Sequence, residues 1–407
     1  MNVAIYLDHA ATSPMTPEVI AAYVSALSVV GNPASIHSQG QAAKRILEEA
    51  REEVAASVGA DAVEVTFTSG GTEAVNLGIK GLYLARVGLA GRVGTQGGRV
   101  GEAISRPFGG RRRILATRAE HHATIDTLTW LAEHEGAVIE WIPVDATGRI
   151  DLEALARALD DDVALVTTLW ANNEVGTIQP VADIVALAAA HGVPVHCDAV
   201  AAFGYVPIDF HASGLAALSI SAHKIGGPVG IGALVVARSE TVTPLIHGGS
   251  QQRFRSGTQD AAGTAAFGVA ATRAMAAMAT TAPRLAALRD RLVRGIRSAV
   301  PTAIYRGDTI DRLPANAHFT FSGCEGDSLL FLLDAAGFSV STGSACQAGV
   351  PEASHVLLAM RVSDADARGA LRITLGPEST DDEVDAFVEA LVPAVARARQ
   401  AGMAALK

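Results

Sequence analysis

Cysteine is scarce in this sequence. Among 407 residues there are three cysteines, Cys197, Cys324 and Cys346, and they lie far apart. An odd number of widely spaced cysteines fits neither a disulfide framework nor a paired zinc site. We therefore expect no metal centre, and we expect a reducing, cytoplasmic location.

Long apolar runs and an excess of positive charge are also missing. No uncharged apolar stretch reaches the roughly 20 residues of a membrane-spanning helix. The start, MNVAIYLDHAATSPMTPE, lacks the basic region that precedes the apolar run of a signal peptide. The net charge of −10 argues against a general nucleic-acid-binding protein. Because 49% of the residues are hydrophobic and only 18% are charged, the sequence predicts a globular protein without a membrane partner.

Short apolar runs alternate with longer helical patterns over the first 260 residues. Alternation of strands and helices predicts βαβ units and a mostly parallel sheet, with functional residues at the carboxyl ends of the strands. The runs that predict strands are VEVTFT, RILAT, AVIEWI, VALVTTLW, VPVHC, LAALSIS and GALVVA.

The pattern changes after about residue 260. An alanine-rich helical stretch over 261–299, interrupted by Pro283, leads to a smaller βα region that ends in a helix over 380–400. We predict a large domain over 14–260 and a small domain made of 1–13 and 261–407. Residues 86–113 are rich in glycine and arginine, which predicts an exposed, flexible insertion in the large domain.

A glycine-rich turn separates a predicted strand from a predicted helix in TFTSGGTEAVN, residues 66–76. Backbone N–H groups at a helix start, here near Gly71 and Thr72, suit a phosphate group. The same turn could simply join the strand to the helix. The motif alone leaves both interpretations open.

Two further residues admit a chemical and a structural role. Asp198 ends an apolar run, where a carboxylate needs a partner, and a protonated pyridine nitrogen would be one. Alternatively, Asp198 caps the next helix. His121 could stack on a flat ring and transfer protons, or could be structural. The sequence does not decide whether His121 or its neighbour His122 points inward.

Lys224 lies in SISAHKIGG, after small and β-branched residues and before two glycines. It could anchor an aldehyde cofactor or be a surface lysine on a turn. The pKa of a free lysine is ~10.4, and burial beside a cationic ring would lower it. The neighbouring Ser221 and His223 could donate to a phosphate. The whole set, with each member at a predicted strand end, predicts pyridoxal phosphate as the cofactor: Thr72, His121, Asp198, Ser221, His223 and Lys224.

Ten short motifs resemble the series found in cysteine desulfurases of the NifS/IscS type. These are fold-type-I pyridoxal-phosphate enzymes of the class-V aminotransferase group. The resemblance runs from about residue 5 to about residue 390 and implies an α/β fold, with a mostly parallel central sheet, helices on both faces and a smaller α+β C-terminal domain. The motifs are YLDHAAT, GNPAS, TSGGTEA, EHHA, NNEVG, HCDA, SAHKIGGPVGIG, RSGTQD, STGSAC and LRITLG.

The resemblance also implies roles. Lys224 would form a Schiff base with the cofactor, His121 would stack on the ring and transfer protons, and Asp198 would pair with the ring nitrogen. Arginine suits a carboxylate because it can bind both oxygens. The residues implied for the remaining groups are Gly71, Thr72, Ser221 and His223 for the phosphate, Thr258 for the phosphate of the other subunit of a homodimer, and Asn32, Asn173 and Arg372 for the substrate.

Cys346 would carry the distinctive chemistry. Free cysteine is usually a buried structural residue, but Cys346 lies among small residues and glycines, in a loop that can move. The resemblance implies that its thiolate attacks the sulfur of L-cysteine, which gives L-alanine and an enzyme persulfide. The sulfur would then pass to an acceptor protein, most commonly an iron–sulfur scaffold, with thiolation pathways as the alternative.

Two rival interpretations predict different behaviour of Cys346. A selenocysteine lyase, or another pyridoxal-phosphate-dependent C–S lyase, would not need it. A non-catalytic docking platform would need none of the reactive residues, and their complete set argues against that class. One position departs from the family pattern: Ala201 stands where a glutamine, three residues after the aspartate, usually donates to the cofactor.

Overall fold

A computed structural model describes residues 4–88, 111–249, 251–343 and 353–405 of the chain. Most of the predicted 86–113 insertion and all of the segment around Cys346 lie outside these residues. The strands of the described part are β1 (Ile5–Tyr6), β2 (Val65–Thr68), β3 (Arg113–Thr117), β4 (Val138–Ile142), β5 (Val163–Leu169), β6 (Val195–Asp198), β7 (Ala217–Ser221), β8 (Gly232–Val236), β9 (Ala303–Arg306), β10 (Asn316–Phe321), β11 (Phe338–Ser339) and β12 (Ala370–Thr374).

Helices connect most of these strands. The helices of the described residues are α1 (Pro17–Leu27), α2 (Ser38–Ser57), α3 (Gly71–Arg86), α4 (His122–Glu135), α5 (Leu152–Ala158), α6 (Val181–Ala189), α7 (Phe210–Ser213), α8 (Ala261–Ala299), α9 (Gly326–Ala335), α10 (His355–Ala359), α11 (Asp364–Ala367) and α12 (Asp381–Ala405).

A seven-stranded sheet of order β2-β8-β7-β6-β5-β3-β4 forms the centre of the larger part of the chain. The strand β8 is antiparallel to both neighbours, and the other pairs are parallel. Successive residues of a strand face opposite sides. Val235 therefore packs with α2, α5 and α6 on one face, and Leu234 packs with α3 and α4 on the other. The predicted mostly parallel sheet with helices on both faces is confirmed.

A second, antiparallel sheet of order β12-β10-β9 forms the smaller part. Ala317, Phe319 and Phe321 of its middle strand pack against α9, α12 and the second half of α8. The alternate residues of that strand, such as His318, face the other side. The smaller α+β part predicted after residue 260 is therefore present.

The predicted interruption at Pro283 was wrong, because the long helix α8 runs unbroken through that residue. Proline removes one helical hydrogen bond. Apolar side chains are buried on both sides of it, however, with Phe267 in the core beside the large sheet and Leu292 in the core of the small one. Burial at both ends favours one continuous helix that joins the two parts.

The N-terminal segment contacts the smaller part of the chain. The strand β1 pairs in parallel with β11, and the backbone N–H of Thr374 donates to the carbonyl of Leu7 at 2.8 Å. These contacts support our proposal that residues 1–13 and 261–407 form one domain and residues 14–260 the other. No helix among the described residues combines the length and apolar character that a membrane crossing requires.

His196 is a buried polar residue in the middle of the large sheet. Its Nδ1 lies 2.9 Å from the hydroxyl of Thr167, and its Nε2 lies 2.9 Å from the hydroxyl of Ser219. Burial lowers the pKa of His196 to about 3. The ring therefore stays neutral in the folded protein, whereas an unfolded chain takes up a proton near its ordinary pKa of about 6.5.

We expect this difference to make folding sensitive to acid. A histidine with a lowered pKa stabilises the fold fully above pH 6.5, and that stability is lost as the pH falls toward 3. Between pH 7.5 and 5.0 the contribution of His196 should fall by about 2 kcal/mol. Chemical unfolding at both pH values, compared with His196→Gln, measures it. An equal pH dependence in the two proteins would contradict the assignment.

Candidate active site

The candidate residues meet at the carboxyl edge of the large sheet. Asp198 and Ser221 are the last residues of β6 and β7, while His121 follows β3 and caps α4. Lys224 lies in a short 3-10 helix, Ala222–Ile225, directly after β7. Because parallel strands end at the same edge, residues far apart in the sequence converge there.

Lys224 is half-buried at the centre of this edge. Its Nζ donates to the backbone carbonyls of Ala10 at 2.5 Å and Ala11 at 2.9 Å. Burial and then the charge of Arg372 lower the pKa of Lys224 to about 8, against the opposing pull of two carboxylates. A larger fraction of the amine is therefore neutral, and nucleophilic, than in an ordinary lysine.

The structure distinguishes His121 from His122. The ring of His122 packs against that of His355, with centroids 4.5 Å apart. The Nδ1 of His121 accepts from the backbone N–H of Ala123 at 3.1 Å, which assigns the proton of the neutral ring to Nε2. Although the side chain is exposed, desolvation by the surrounding protein and then the charge of Lys224 lower the pKa of His121 to about 4. His121 is thus a neutral imidazole beside the lysine.

Asp198 is buried together with a second carboxyl group. Its Oδ1 accepts from the N–H of Val200 at 2.9 Å, and burial raises its pKa to about 6. Glu120 accepts from the hydroxyl of Thr117 at 2.8 Å. Burial raises the pKa of Glu120 to about 8. The hydrogen bond from Thr117 opposes this rise, and the negative charge of Asp198 adds to it. A protonated Glu120 leaves Asp198 as the carboxylate that a cationic ring nitrogen would pair with.

The residues predicted to hold a phosphate form a fitting cradle. Gly71 begins α3, so its backbone lies at the positive end of that helix. A side chain at Gly71 would come within 3.4 Å of the Cβ of Ser221 and 2.8 Å of Val200. The hydroxyl of Ser221 is buried and has no hydrogen-bond partner among the described residues. Thr72, the residue after Gly71, is exposed, and His223 is half-buried. The unpaired hydroxyl of Ser221, the start of α3 and the lack of room for a side chain at Gly71 together suit an anion that approaches the backbone closely.

Arg372 and Asn173 come together as predicted. Arg372 is 5% exposed on β12, and its Nη1 donates to the backbone carbonyl of Asn173 at 3.0 Å. Its Nη2 forms an ion pair with Asp8 at 2.9 Å. The small sheet thereby presents a guanidinium at the edge of the large one, near Lys224.

Ala201 lines a small cavity with Lys224, Asn173 and Tyr205. The volume of this cavity is about 30 Å³, which is near the volume of one water molecule. The small side chain of Ala201 therefore leaves room for about one water molecule beside Lys224. A separate cavity of about 350 Å³ also reaches Lys224, but Gly71, Ser221 and His121 do not line it.

Two predicted residues lie in exposed loops of the described part of the chain. Thr258 is exposed in the loop before α8, and Asn32 is exposed in the loop before α2, where its Oδ1 accepts from the N–H of Ala34. Neither lines the cavities at Lys224. Cys346 lies outside the described residues. The two other cysteines are buried, and Cys324, which the sequence could not place, belongs to the core of the small part.

Sequence reasoning missed Glu120 and Asp8. Both stood inside quoted motifs, EHHA and YLDHAAT, yet received no role. The signal for Glu120 was an acidic residue three positions after an apolar run. The ion pair of Asp8 with Arg372 joins residues 364 positions apart, and a single sequence carries no signal for such a contact.

Comparison with known proteins identifies the family. The model of the aminotransferase class-V family matches residues 5–89 and 99–387. An IscS-like cysteine desulfurase of Mycobacterium tuberculosis is 50% identical over 404 residues, covering 98% of each chain. The cysteine desulfurase IscS of Dictyoglomus turgidum is 38% identical, covering 96% of this chain and 94% of its own.

A solved structure described as a NifS-like protein superimposes with a TM-score of 0.85. Its sequence is 32% identical, and the match covers 97% of this chain and 100% of that one. The predicted resemblance to the NifS/IscS type and the predicted fold are both confirmed. The chain belongs to the class-V aminotransferase family, whose enzymes depend on pyridoxal phosphate.

Proposed function

We propose that this chain is a cysteine desulfurase that converts L-cysteine to L-alanine and passes the sulfur to an acceptor. One observation carries the proposal. A lysine with a lowered pKa, a buried aspartate and an unpaired serine hydroxyl meet near Arg372, in a chain whose full-length relatives are named cysteine desulfurases. The relatives' names do not favour the alternative selenocysteine or C–S lyase.

The cofactor would be held by the residues that fit it. Ser221 and the start of α3 would bind the phosphate, with Thr72 and His223 beside them, and Asp198 would pair with the ring nitrogen. Pyridoxal phosphate, when bound, supplies an aldehyde that condenses with amines and a ring that takes up electrons.

The other side chains would orient the substrate and move its protons. Arg372 and Asn173 would bind the carboxylate of L-cysteine, with Asn32 as a further candidate. The amine of Lys224 would take a proton from the substrate carbon and later return one, and the Nε2 of the nearby His121 would assist. A buried carboxylate binding site near a neutral amine would also exclude water from the reacting carbon.

The thiolate of Cys346 would take the sulfur. A sulfur–sulfur bond forms as the carbon–sulfur bond of L-cysteine breaks, and the carbon gains a proton to become the methyl group of L-alanine. The enzyme thiol and L-cysteine thus become an enzyme persulfide and L-alanine. Two equivalents of a reducing thiol would then release sulfide, restore the enzyme thiol and form one disulfide.

We further propose a homodimer in which Thr258 reaches the phosphate of the partner subunit. Thr258 is exposed in the loop before α8 and is therefore accessible to a partner subunit, which supports this assignment. Apolar side chains of α1 and the following loop are also exposed, which suits a protein partner; they are Ile20, Val24, Leu27, Val30 and Ile36. An iron–sulfur scaffold as the acceptor, and a cytoplasmic location, remain predictions from the sequence.

The products of L-cysteine test the proposed function. With dithiothreitol present, we expect L-alanine and sulfide in equal amounts, because each turnover moves one sulfur to the reductant. Without added reductant, alanine release should slow sharply once the persulfide has accumulated, because only the thiol of L-cysteine itself remains to reduce it. Amino-acid analysis and sulfide detection on the same samples measure both. Pyruvate in place of alanine would contradict the proposal, since it would indicate elimination.

A further inference from the structure

His318 is a buried histidine that the proposed reaction does not use. It lies in the middle strand of the small sheet and is 0% exposed. Neither of its ring nitrogens has a well-formed hydrogen bond to a described residue. Buried polar groups without partners are rare in folded proteins, so each one calls for a physical reason.

The register of the small sheet places His318 between two arginines. On one side it is paired with Arg372 of β12, and on the other with Arg306 of β9. Directly opposite residues of an antiparallel pair face the same side, with their Cβ atoms about 5 Å apart. The side chains of His318 and Arg372 therefore start from opposite positions on the same face of the small sheet, and the charge of Arg372 acts on the imidazole of His318.

Arg372 has the matching unpaired group. Its Nη1 donates to Asn173 and its Nη2 to Asp8, but its Nε is buried and has no acceptor in the part of the chain that the structure describes. Arg306 is already engaged, since its Nε donates to the hydroxyl of Thr320 at 2.9 Å. A buried donor without an acceptor and a ring that can accept thus belong to residues at directly opposite positions of the sheet.

The charges around His318 keep its ring neutral. Burial and then the positive charges of Arg372, Arg312 and Arg306 lower its pKa to about 3, although the backbone of Thr342 attracts the protonated form. A neutral imidazole always has one nitrogen that can accept a hydrogen bond. A lysine or a protonated histidine could not do so.

We propose that His318 is a positioning residue for Arg372. When the guanidinium turns to bind the substrate carboxylate, the Nε of Arg372 donates a hydrogen bond to the imidazole of His318. Asp8 holds one end of the guanidinium, and His318 fixes the plane of the group from the adjacent strand. The carboxylate of an α-amino acid is thereby recognised by a guanidinium that is held in one orientation once it has turned. This inference rests on the proposed role of Arg372 as the carboxylate-binding residue.

Binding of L-alanine and L-alaninamide tests the proposal, because the second ligand replaces the carboxylate by a neutral amide. We expect His318→Leu to weaken L-alanine about tenfold, since a buried donor loses its acceptor. Binding of L-alaninamide should change less than twofold, and the KM for L-cysteine should rise with little change in kcat. Titration calorimetry on the cofactor-loaded enzyme gives the dissociation constants.

Two conservative variants separate hydrogen bonding from packing. The amide oxygen of His318→Asn can replace Nδ1 as acceptor, and that of His318→Gln can replace Nε2. At least one of them should restore L-alanine binding to within about threefold of the wild type. If both fail, or if His318→Leu weakens both ligands equally, the role of His318 is only structural and the proposal is wrong.

Arg372→Ala separates this inference from the function on which it rests. It should weaken L-alanine far more than L-alaninamide. If it weakens both equally, Arg372 does not bind the carboxylate, and both assignments fall. If Arg372→Ala weakens L-alanine more than L-alaninamide, while His318→Leu binds L-alanine like the wild type, only the role of His318 is overturned.

Discussion

Replacing Lys224 by alanine should lower alanine release from L-cysteine by about 10⁴-fold or more, because the chain loses both its amine nucleophile and its acid–base group. Lys224→Arg is the matched control, since it keeps the positive charge but not a neutral amine at any ordinary pH. Both variants should lose the visible absorbance of the covalently held cofactor. Activity near that of the wild type in either variant would contradict the assignment.

The pKa of Lys224 adds a pH dependence to this prediction. A pKa lowered to about 8 means that the neutral amine increases as the pH rises through 8. The rate at which the cofactor-free wild type captures pyridoxal phosphate should therefore rise between pH 7 and 9 and then level off. Stopped-flow absorbance measures it, and a rise only near pH 10 would show an ordinary lysine.

Mixed dimers that contain Lys224→Ala test whether Thr258 contributes to the active site of the partner subunit. If Thr258 serves the partner's phosphate, a dimer of one Lys224→Ala chain and one Thr258→Ala chain contains one intact site. Equal mixing after dissociation should then restore about a quarter of the wild-type activity. If Thr258 serves its own chain, the mixture has no intact site and only the residual activity of Thr258→Ala remains.

The sequence predicted this fold and much of the site because the relevant signals are local. Apolar runs bounded by turns located the strands, and residues at or shortly after the ends of those runs, such as Asp198 and Lys224, lie at the same edge of the sheet. The roles of these residues came from the resemblance, since each local motif also had a structural interpretation.

The features that could not be predicted depend on contacts between distant segments. Pro283 indicated an interruption of α8, but burial at both ends of the helix outweighs one lost hydrogen bond. The ion pair of Asp8 with Arg372, and the pairing of His318 with Arg372, join segments that only the folded chain brings together. The pKa values of Glu120 and His318 follow from burial, which a linear pattern does not measure.

Replacing Cys346 by alanine should abolish sulfide release and lower alanine formation by at least about 10³-fold, because the substrate sulfur then has no thiolate to attack it. Cys324→Ala is the matched control, since that cysteine is buried in the core of the small part, with its thiol toward the carbonyl of Val395. Burial raises the pKa of Cys324, which leaves it an unreactive thiol.

The two variants should therefore differ from the wild type in different properties, one in turnover and the other in thermal stability. Cys346→Ala should retain the thermal stability and the cofactor absorbance of the wild type while losing turnover. Cys324→Ala should retain turnover at 25 °C but unfold at a lower temperature, since it removes a buried side chain. Alanine, sulfide and persulfide, measured after mixing with L-cysteine, distinguish the cases. Continued alanine formation by Cys346→Ala would make Cys346 dispensable, and the reaction would then be that of a lyase acting without a protein thiol.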